Sequence, residues 1–177
     1  MQQLTFETSR LRGEPLAPYH YDEIYRMHRD PRVMATLGGL RGEAESRAYL
    51  EFNLAHWRQH GFGLWIVRNR GDGQVAGRAV IRHLDVDGSD EVEVGYGFYP
   101  EWWGRGLATE AATELVRSGL EDLKLPTLVA ITQPTNIASQ RVLEKAGLSH
   151  EREFLHGDTP VSLYRIRAGQ GVFDAKK

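Results

Sequence analysis

Two glycines, Gly104 and Gly106, mark the point where the chain changes period, and the stretch around them, Pro100 to Ala112 (PEWWGRGLATEAA), constrains the fold more than any other. Before it, Val92 to Tyr99 (VEVGYGFY) is rich in β-branched and aromatic residues with no helical spacing. After it, apolar residues recur at helical spacing, so the stretch joins a strand to a helix. Glycine tolerates positive φ and lets a ligand approach the backbone, and the first turn of the next helix offers unpaired N–H groups at the positive end of its dipole. Such a joint is an anion cradle, and phosphate suits it.

A tight βα turn with no ligand would carry the same punctuation. As a dinucleotide fingerprint, GRGLAT gives G-x-G-x-x-T, which lacks the third small residue, and no acidic residue closes the next strand, Thr127 to Thr132. The sequence G-x-x-x-x-G-K-[ST] occurs nowhere, which excludes a P-loop.

The stretch resembles the acyl-coenzyme A loop of the GCN5-related N-acetyltransferases, [QR]-x-x-G-x-[GA], with Trp103, Gly104, Arg105, Gly106, Leu107 and Ala108 in its six positions. Trp103 departs from the pattern, at the cost of a side-chain contact and not of a cradle made from backbone N–H groups. Glu93-Val94-Gly95-Tyr96 before it, Thr109-Glu110-Ala111 after it, and Asn136-x-x-Ser139 and Lys145-Ala146-Gly147-Leu148 downstream resemble the branch that contains the ribosomal-protein N-terminal acetyltransferases. So do Thr8-Ser9-Arg10-Leu11 and Asp30-Pro31-x-Val33-Met34-x-x-Leu37-Gly38-Gly39 near the start.

The resemblance implies acetyl-coenzyme A as cosubstrate and a primary amine as acceptor. It places the pyrophosphate on the N–H groups of residues 104 to 109, Thr109 included, and the pantetheine arm against the strand near Phe98 and Asn136. It also puts the loop Asp30 to Gly42 and the hairpin Leu155 to Val161 at the acceptor end.

At 177 residues the chain is long enough for one domain with a full core, so a single domain over 1–177 is expected, its tail from Gly169 frayed. The net charge of −2 and the lack of a Lys/Arg run give no electrostatic reason to bind nucleic acid. No apolar run is long enough to span a membrane and MQQLTFETSR lacks the order of a signal peptide, so a cytoplasmic location is expected. With no cysteine, disulfides, thiolate metal sites and a Cys acyl-enzyme are impossible. A homodimer is compatible with the chain.

Periodicity predicts a first strand over Leu4 to Leu16 kinked at Gly13 to Pro15, a helix over Tyr21 to Arg29, a loop from 30 to 42 and a helix over Glu43 to His60 stopped by Gly61. Strands follow at Leu64 to Arg68, Val75 to Leu84 and Glu91 to Tyr99, then a helix over Thr109 to Leu125. A strand over Thr127 to Thr132, a helix over Asn136 to Ala146 and a hairpin of His150 to Leu155 with Val161 to Arg167 complete the chain. Mostly antiparallel strands around one β-α-β crossover give an α+β fold with a mixed central sheet flanked by helices.

His56 and His60 stand four apart on a helix, as in H-E-x-x-H, but Trp57 holds the place of the glutamate and no third ligand is evident, so no metal is expected. Asp85, Asp87 and Asp90 fit an acidic hairpin tip better than a calcium loop, since Gly88 falls at the fourth position and not the sixth. Glu93 is the carboxylate that alternation turns away from Val92 and Val94, close in sequence to the cradle. It is either a solvated strand residue or the base that takes a proton from the amine. Ser139, in the first turn after Asn136, either caps the helix or donates to the departing thiolate. In related acetyltransferases a tyrosine lower on this helix has that role, and Leu143 stands there. The expected activity is direct acetyl transfer to an amine; a non-catalytic acyl-coenzyme A sensor is the alternative.

Overall fold

The structure, a computed structural model, describes residues 4–170, so the tail expected to fray lies, from residue 171 on, outside the described residues. Eight strands form one sheet in the order β1-β2-β3-β4-β5-β6-β8-β7. All neighbours are antiparallel except β5 and β6, the pair joined through the glycine-rich crossover. This is the α+β mixed sheet expected, with helices on both faces.

The first strand is in fact two, β1 (Phe6–Glu7) and β2 (Leu11–Pro15), paired across a turn at Thr8 to Arg10. The chain reverses there because Thr8 N–H and the Leu11 carbonyl bond at 2.9 Å, not at the expected kink. After α1 (Tyr21–His28), the expected loop begins with a short helix, α2 (Pro31–Met34). Asp30 caps it, accepting from Arg32 N–H at 2.9 Å, and Pro31 occupies a first-turn position that needs no N–H. The proline that stops α1 therefore starts α2. Helix α3 (Glu43–His60) has its predicted bounds.

Strands β3 (Leu64–Asn69), β4 (Val75–Val86) and β5 (Ser89–Phe98) follow. Asp87 and Gly88, at φ 52° and 81°, make a two-residue turn of the kind that matches strand twist, so β4 and β5 pair through Asp85 and Asp90 and run longer than alternation alone predicts. Helix α4 (Leu107–Arg117) passes into a π-helical stretch, Ser118–Asp122, where one continuous helix was expected. There Leu123 N–H reaches the Ser118 carbonyl at 2.9 Å, and Gly119 lies so close to β6 (Thr127–Thr132) that a Cβ on it would be 2.6 Å from Leu128 Cδ1. Helix α5 (Ile137–Lys145) and the hairpin β7 (Ser149–His156) and β8 (Thr159–Arg167) end the fold.

The core fills both faces of the sheet. Leu64, Ile66, Ala79, Ile81, Leu115 and Leu128 are among its fully enclosed side chains, each larger one contributing about 1.5–3 kcal/mol by leaving water. Among the described residues no helix is long and apolar enough to cross a membrane.

Candidate active site

The sheet opens where the crossover begins. β5 and β6 are paired only at Glu93 and Val129, so beyond that point the edge of β5 that carries Gly95 to Phe98 faces no neighbouring strand. A polar backbone edge without a strand partner is a place for a ligand to complete. Side chains of β5 alternate about this opening. Tyr96 points to the face of α5, and Glu93, Gly95 and Gly97 to the face of α3, opposite Arg82, Val80 and Arg78 of β4.

At the end of β5 the chain passes through Trp103 to Thr109. Gly104 and Gly106 take φ 70° and 77°, which few side chains tolerate, and no protein atom lies within 4 Å of where a Cβ on Gly104 would be. None of the N–H groups from Gly104 to Thr109 bonds a backbone carbonyl, and Gly106 at the N-cap brings no side-chain cap to α4. The cradle is thus a row of free donors at a helix N-terminus.

It is braced from the far edge of the sheet. Glu110 accepts from Thr8 Oγ1, from Ser9 Oγ at 3.2 Å and from Arg10 N–H at 2.9 Å, and pairs with Arg10 Nε at 2.6 Å; Arg10 Nη1 then donates to the Arg105 carbonyl at 2.9 Å. Burial alone would raise the Glu110 carboxyl, but these donors outweigh it and hold it below its ordinary value. Half-exposed Trp103, where the pattern has Gln or Arg, donates its indole N–H to the Phe98 carbonyl at 2.8 Å. The departure from the pattern therefore ties the cradle to β5 and uses the Phe98 carbonyl. Leu107 is buried, Ala108 and Thr109 line the first turn, and Arg105 stacks on Trp102 with Cζ 5.1 Å from the ring centre.

Asn136 caps α5, its Oδ1 accepting from Ser139 N–H at 3.1 Å. The Ser139 hydroxyl is not needed for the cap. It meets the Tyr96 hydroxyl across the opening at 3.1 Å. Burial, partly offset by that contact, pushes the Tyr96 phenol up to about 12, so it stays a protonated donor at neutral pH. Tyr96 lies within the stretch 93–96 that carries the resemblance, but its spacing does not single out its hydroxyl, which reaches α5 from the strand.

On the opposite face, Glu93 is 6% exposed and its Oε1 accepts from Arg82 Nε at 2.6 Å. It is a buried, paired carboxylate and not a solvated strand residue. Burial works to lower Arg82, but the Glu93 carboxylate outweighs it and the guanidinium is held above its ordinary value. Arg82 also donates to Asn53 Oδ1 at 3.3 Å, Arg78 to Tyr49 Oη at 2.8 Å, and Arg41 to His28 Nε2 at 3.3 Å, while His28 Nδ1 contacts Ser46 Oγ at 2.8 Å. Burial first, then Arg41 and Arg78, push His28 down to about 4, so it is neutral and accepts.

His56 and His60 do gain a third histidine, His83 of β4, and the ligand atoms of the three lie within 4.8 Å of one another. Both His56 nitrogens are engaged, however: Nδ1–H with the Phe62 carbonyl at 2.9 Å and Nε2 with His83 N–H at 3.1 Å. Burial above all pushes His56 down to about 4 and keeps it in this neutral, bonded form. The Asp85 to Asp90 tip is likewise tied internally, Asp85 to Gly88 N–H, Asp87 to Arg152 and Asp90 to His83.

A parallel pair splayed beside an uncapped glycine-rich strand-to-helix cradle defines the fold of the acyl-coenzyme A N-acyltransferases. Residues 10–149 match the model of the acetyltransferase (GNAT) domain, and the chain belongs to that family: it is an acyltransferase whose family cosubstrate is acetyl-coenzyme A. It is 30% identical over 171 residues to FsC-acetyl coenzyme A-N(2)-transacetylase of Aspergillus fumigatus, covering 89% of this chain and 71% of that protein. The structure is similar to that of an acetyltransferase from Agrobacterium tumefaciens, with TM-score 0.82, 28% identity, and 94% and 96% of the two chains covered. The fold is also that of RimL, a ribosomal L7/L12 alpha-N-protein acetyltransferase in complex with coenzyme A, with TM-score 0.74, 15% identity, and 93% and 97% covered.

Proposed function

We propose that this protein transfers acetyl from acetyl-coenzyme A directly to a primary amine held in the opening between β5 and β6. The observation that carries the reading is the row of unpartnered N–H groups from Gly104 to Thr109, set at the mouth of a strand edge that is itself unpaired beyond Glu93. The row suits the pyrophosphate, and Arg10, though paired with Glu110, has its Nη2 3.6 Å from the Cβ position of Gly106, within reach as a further donor. The free edge from Gly95 to Phe98 and the amide of Asn136 suit the pantetheine arm, with the Phe98 carbonyl already taken.

In the transfer, the neutral amine attacks the thioester carbonyl carbon, the C–N bond forms, and the C–S bond breaks. N–H groups of the β5 edge steady the oxygen as it gains charge. The Tyr96 and Ser139 hydroxyls donate to the leaving thiolate. Glu93, with Oε1 given to Arg82, receives the amine proton on Oε2, directly or through one water. A peptide-like α-amine with pKa about 8 loses about 1.4 kcal/mol at pH 7 by being protonated, a lysine with pKa about 10.4 about 4.6 kcal/mol. Proximity supplies most of the acceleration. The relative's printed N(2)-transacetylase activity supports nitrogen as the acceptor atom, and a cytoplasmic location belongs to the same reading.

Free coenzyme A thiol, followed with and without a panel of amines, tests it. Amine-dependent thiol release with an acetylated amine in the mass spectrum is the expected result. Acetyl-coenzyme A binding with no transfer to any amine would leave a binding module.

A further inference from the structure

Three guanidinium groups converge on one ring: the Cζ atoms of Arg41, Arg78 and Arg82 lie 5.0, 5.6 and 5.8 Å from the centre of Tyr49. Glu93 neutralises Arg82. Among the described residues no carboxylate lies within 4.0 Å of Arg41 or Arg78. His28, neutral as described, adds no charge, and Glu45, the other carboxylate that Arg41 feels, is exposed and bonded to Gly42 N–H at 3.0 Å. The cluster therefore carries two positive charges without counter-charge.

Arg78 is the informative member. It is 7% exposed, and while Nη1 donates to Tyr49, its Nε is fully buried with no hydrogen-bond partner. A buried charged donor left unpaired is costly, and the Nε is open to a partner from outside the chain. Arg78 pairs with Gly97 across the sheet, in the part of β5 that borders the opening. Over Gly97 lie Arg78 Nε, 3.9 Å from its Cβ position, and Leu37 Cδ1, the end of a flexible side chain on the loop after α2, at 2.9 Å.

We propose that Arg78 and Arg41 bind a carboxylate of the acceptor, which makes the acceptor class a small amine with a carboxylate near the reacting nitrogen: an amino acid. The inference rests on the acetyl-transfer reading above and deepens it. A planar carboxylate matches the guanidinium fork in two parallel hydrogen bonds, which a lone cation or a neutral amine cannot use. With Arg78 only 7% exposed, a small molecule suits the position better than a chain. The same two charges oppose an ammonium beside them, and so favour the neutral amine that attacks.

The test pairs each of a set of amino acids with its own carboxamide and measures thiol release at pH 7. For the preferred side chain the acid exceeds its carboxamide in kcat/KM by at least about tenfold, the effect of losing a charge-assisted contact. That preference runs against reactivity, since the carboxamide is the more readily deprotonated amine. In Arg78→Gln the ratio falls toward one, with coenzyme A affinity by calorimetry as the check that the variant is folded; Arg41→Gln carries the same comparison if Arg78→Gln does not fold. Equal use of acid and carboxamide by the wild type, or a ratio unchanged in a folded variant, overturns the proposal and leaves acetyl transfer standing. If no pair is acetylated while another amine of the panel is, the proposal is overturned and acetyl transfer stands; if no amine at all is acetylated, the transfer reading fails by itself, and calorimetry of acids against carboxamides on the coenzyme A complex decides the cluster: tighter acid binding lost in Arg78→Gln supports it, no difference overturns it.

Discussion

Glu93 and Tyr96 sit three residues apart on one strand and face opposite sides of the opening, so in the proposed transfer the base for the amine and a donor for the thiolate come from the same element. Glu93→Gln keeps shape and hydrogen bonding but removes the proton acceptor. Turnover at pH 7 is expected to fall about 10²-fold, the usual range for loss of a general base, with the defect shrinking as pH nears the pKa of the acceptor. A defect constant at every pH would mean that the Arg82 pair is structural only. Tyr96→Phe removes the phenol facing Ser139, and is expected to lower kcat by about tenfold with coenzyme A affinity unchanged. Equal kcat in the two proteins would take the phenol out of the mechanism. At this scale the sequence was legible where a residue's facing depends on its own strand, as alternation turned Glu93 away from Val92 and Val94. It was silent where the partner is far along the chain. Tyr96 and Ser139 are 43 positions apart, and nothing in the spacing of either pairs them.

The cradle, α4 and the first hairpin work as a unit because Glu110 and Arg10 join them. Arg10→Ala frees the Arg105 carbonyl and releases Glu110, so coenzyme A is expected to bind more weakly by several fold, roughly 1 kcal/mol for one charge-assisted contact, with kcat less affected. Titration calorimetry reads this directly, and unchanged affinity would make the brace irrelevant to the cradle. Gly119→Ala places a methyl 2.6 Å from Leu128 Cδ1. Overpacking of this kind costs about 1–3 kcal/mol, measurable as a lower urea midpoint at constant slope; a midpoint equal to the wild type would show that the π-helical stretch yields freely. Helix α3 and strand β6 were readable to the residue because Gly61, at φ 73°, stops the first and Pro126 stands just before the second. The turn at Thr8 to Arg10, the capped α2 and the π-helical stretch were not. Each depends on a specific hydrogen bond or a tertiary contact that composition does not carry.

Across the whole molecule, several carboxylates are held below their ordinary value. Glu151 is lowered by its bond to Arg165, and Glu110, despite burial, by Thr8 and Arg10. A depressed folded pKa means that the charged form stabilises the fold above the unfolded value near 4.5 and that this contribution is lost as pH falls through the lower folded values. His28 and His56, ordinarily near 6.5 and held at about 4 in the fold, take up protons on unfolding, so the thermal midpoint is expected to begin falling below about pH 6.5 and to fall further below about 4.5 as the carboxylates protonate; an equal midpoint at pH 3 and pH 7 would contradict both. The mixed sheet and its single crossover were visible in the order of strand and helix signals. The splay at Glu93 and Val129 was not, since it arises from how two strands distant in sequence diverge. In the proposed transfer coenzyme A meets the backbone at that mouth, and this is tested by calorimetric titration of coenzyme A into wild type and Gly106→Val, with circular dichroism confirming the fold. A branched side chain at φ 77° distorts and fills the cradle, so affinity should fall at least about tenfold, or about 1.4 kcal/mol. A folded Gly106→Val protein that binds coenzyme A as tightly as the wild type would contradict it.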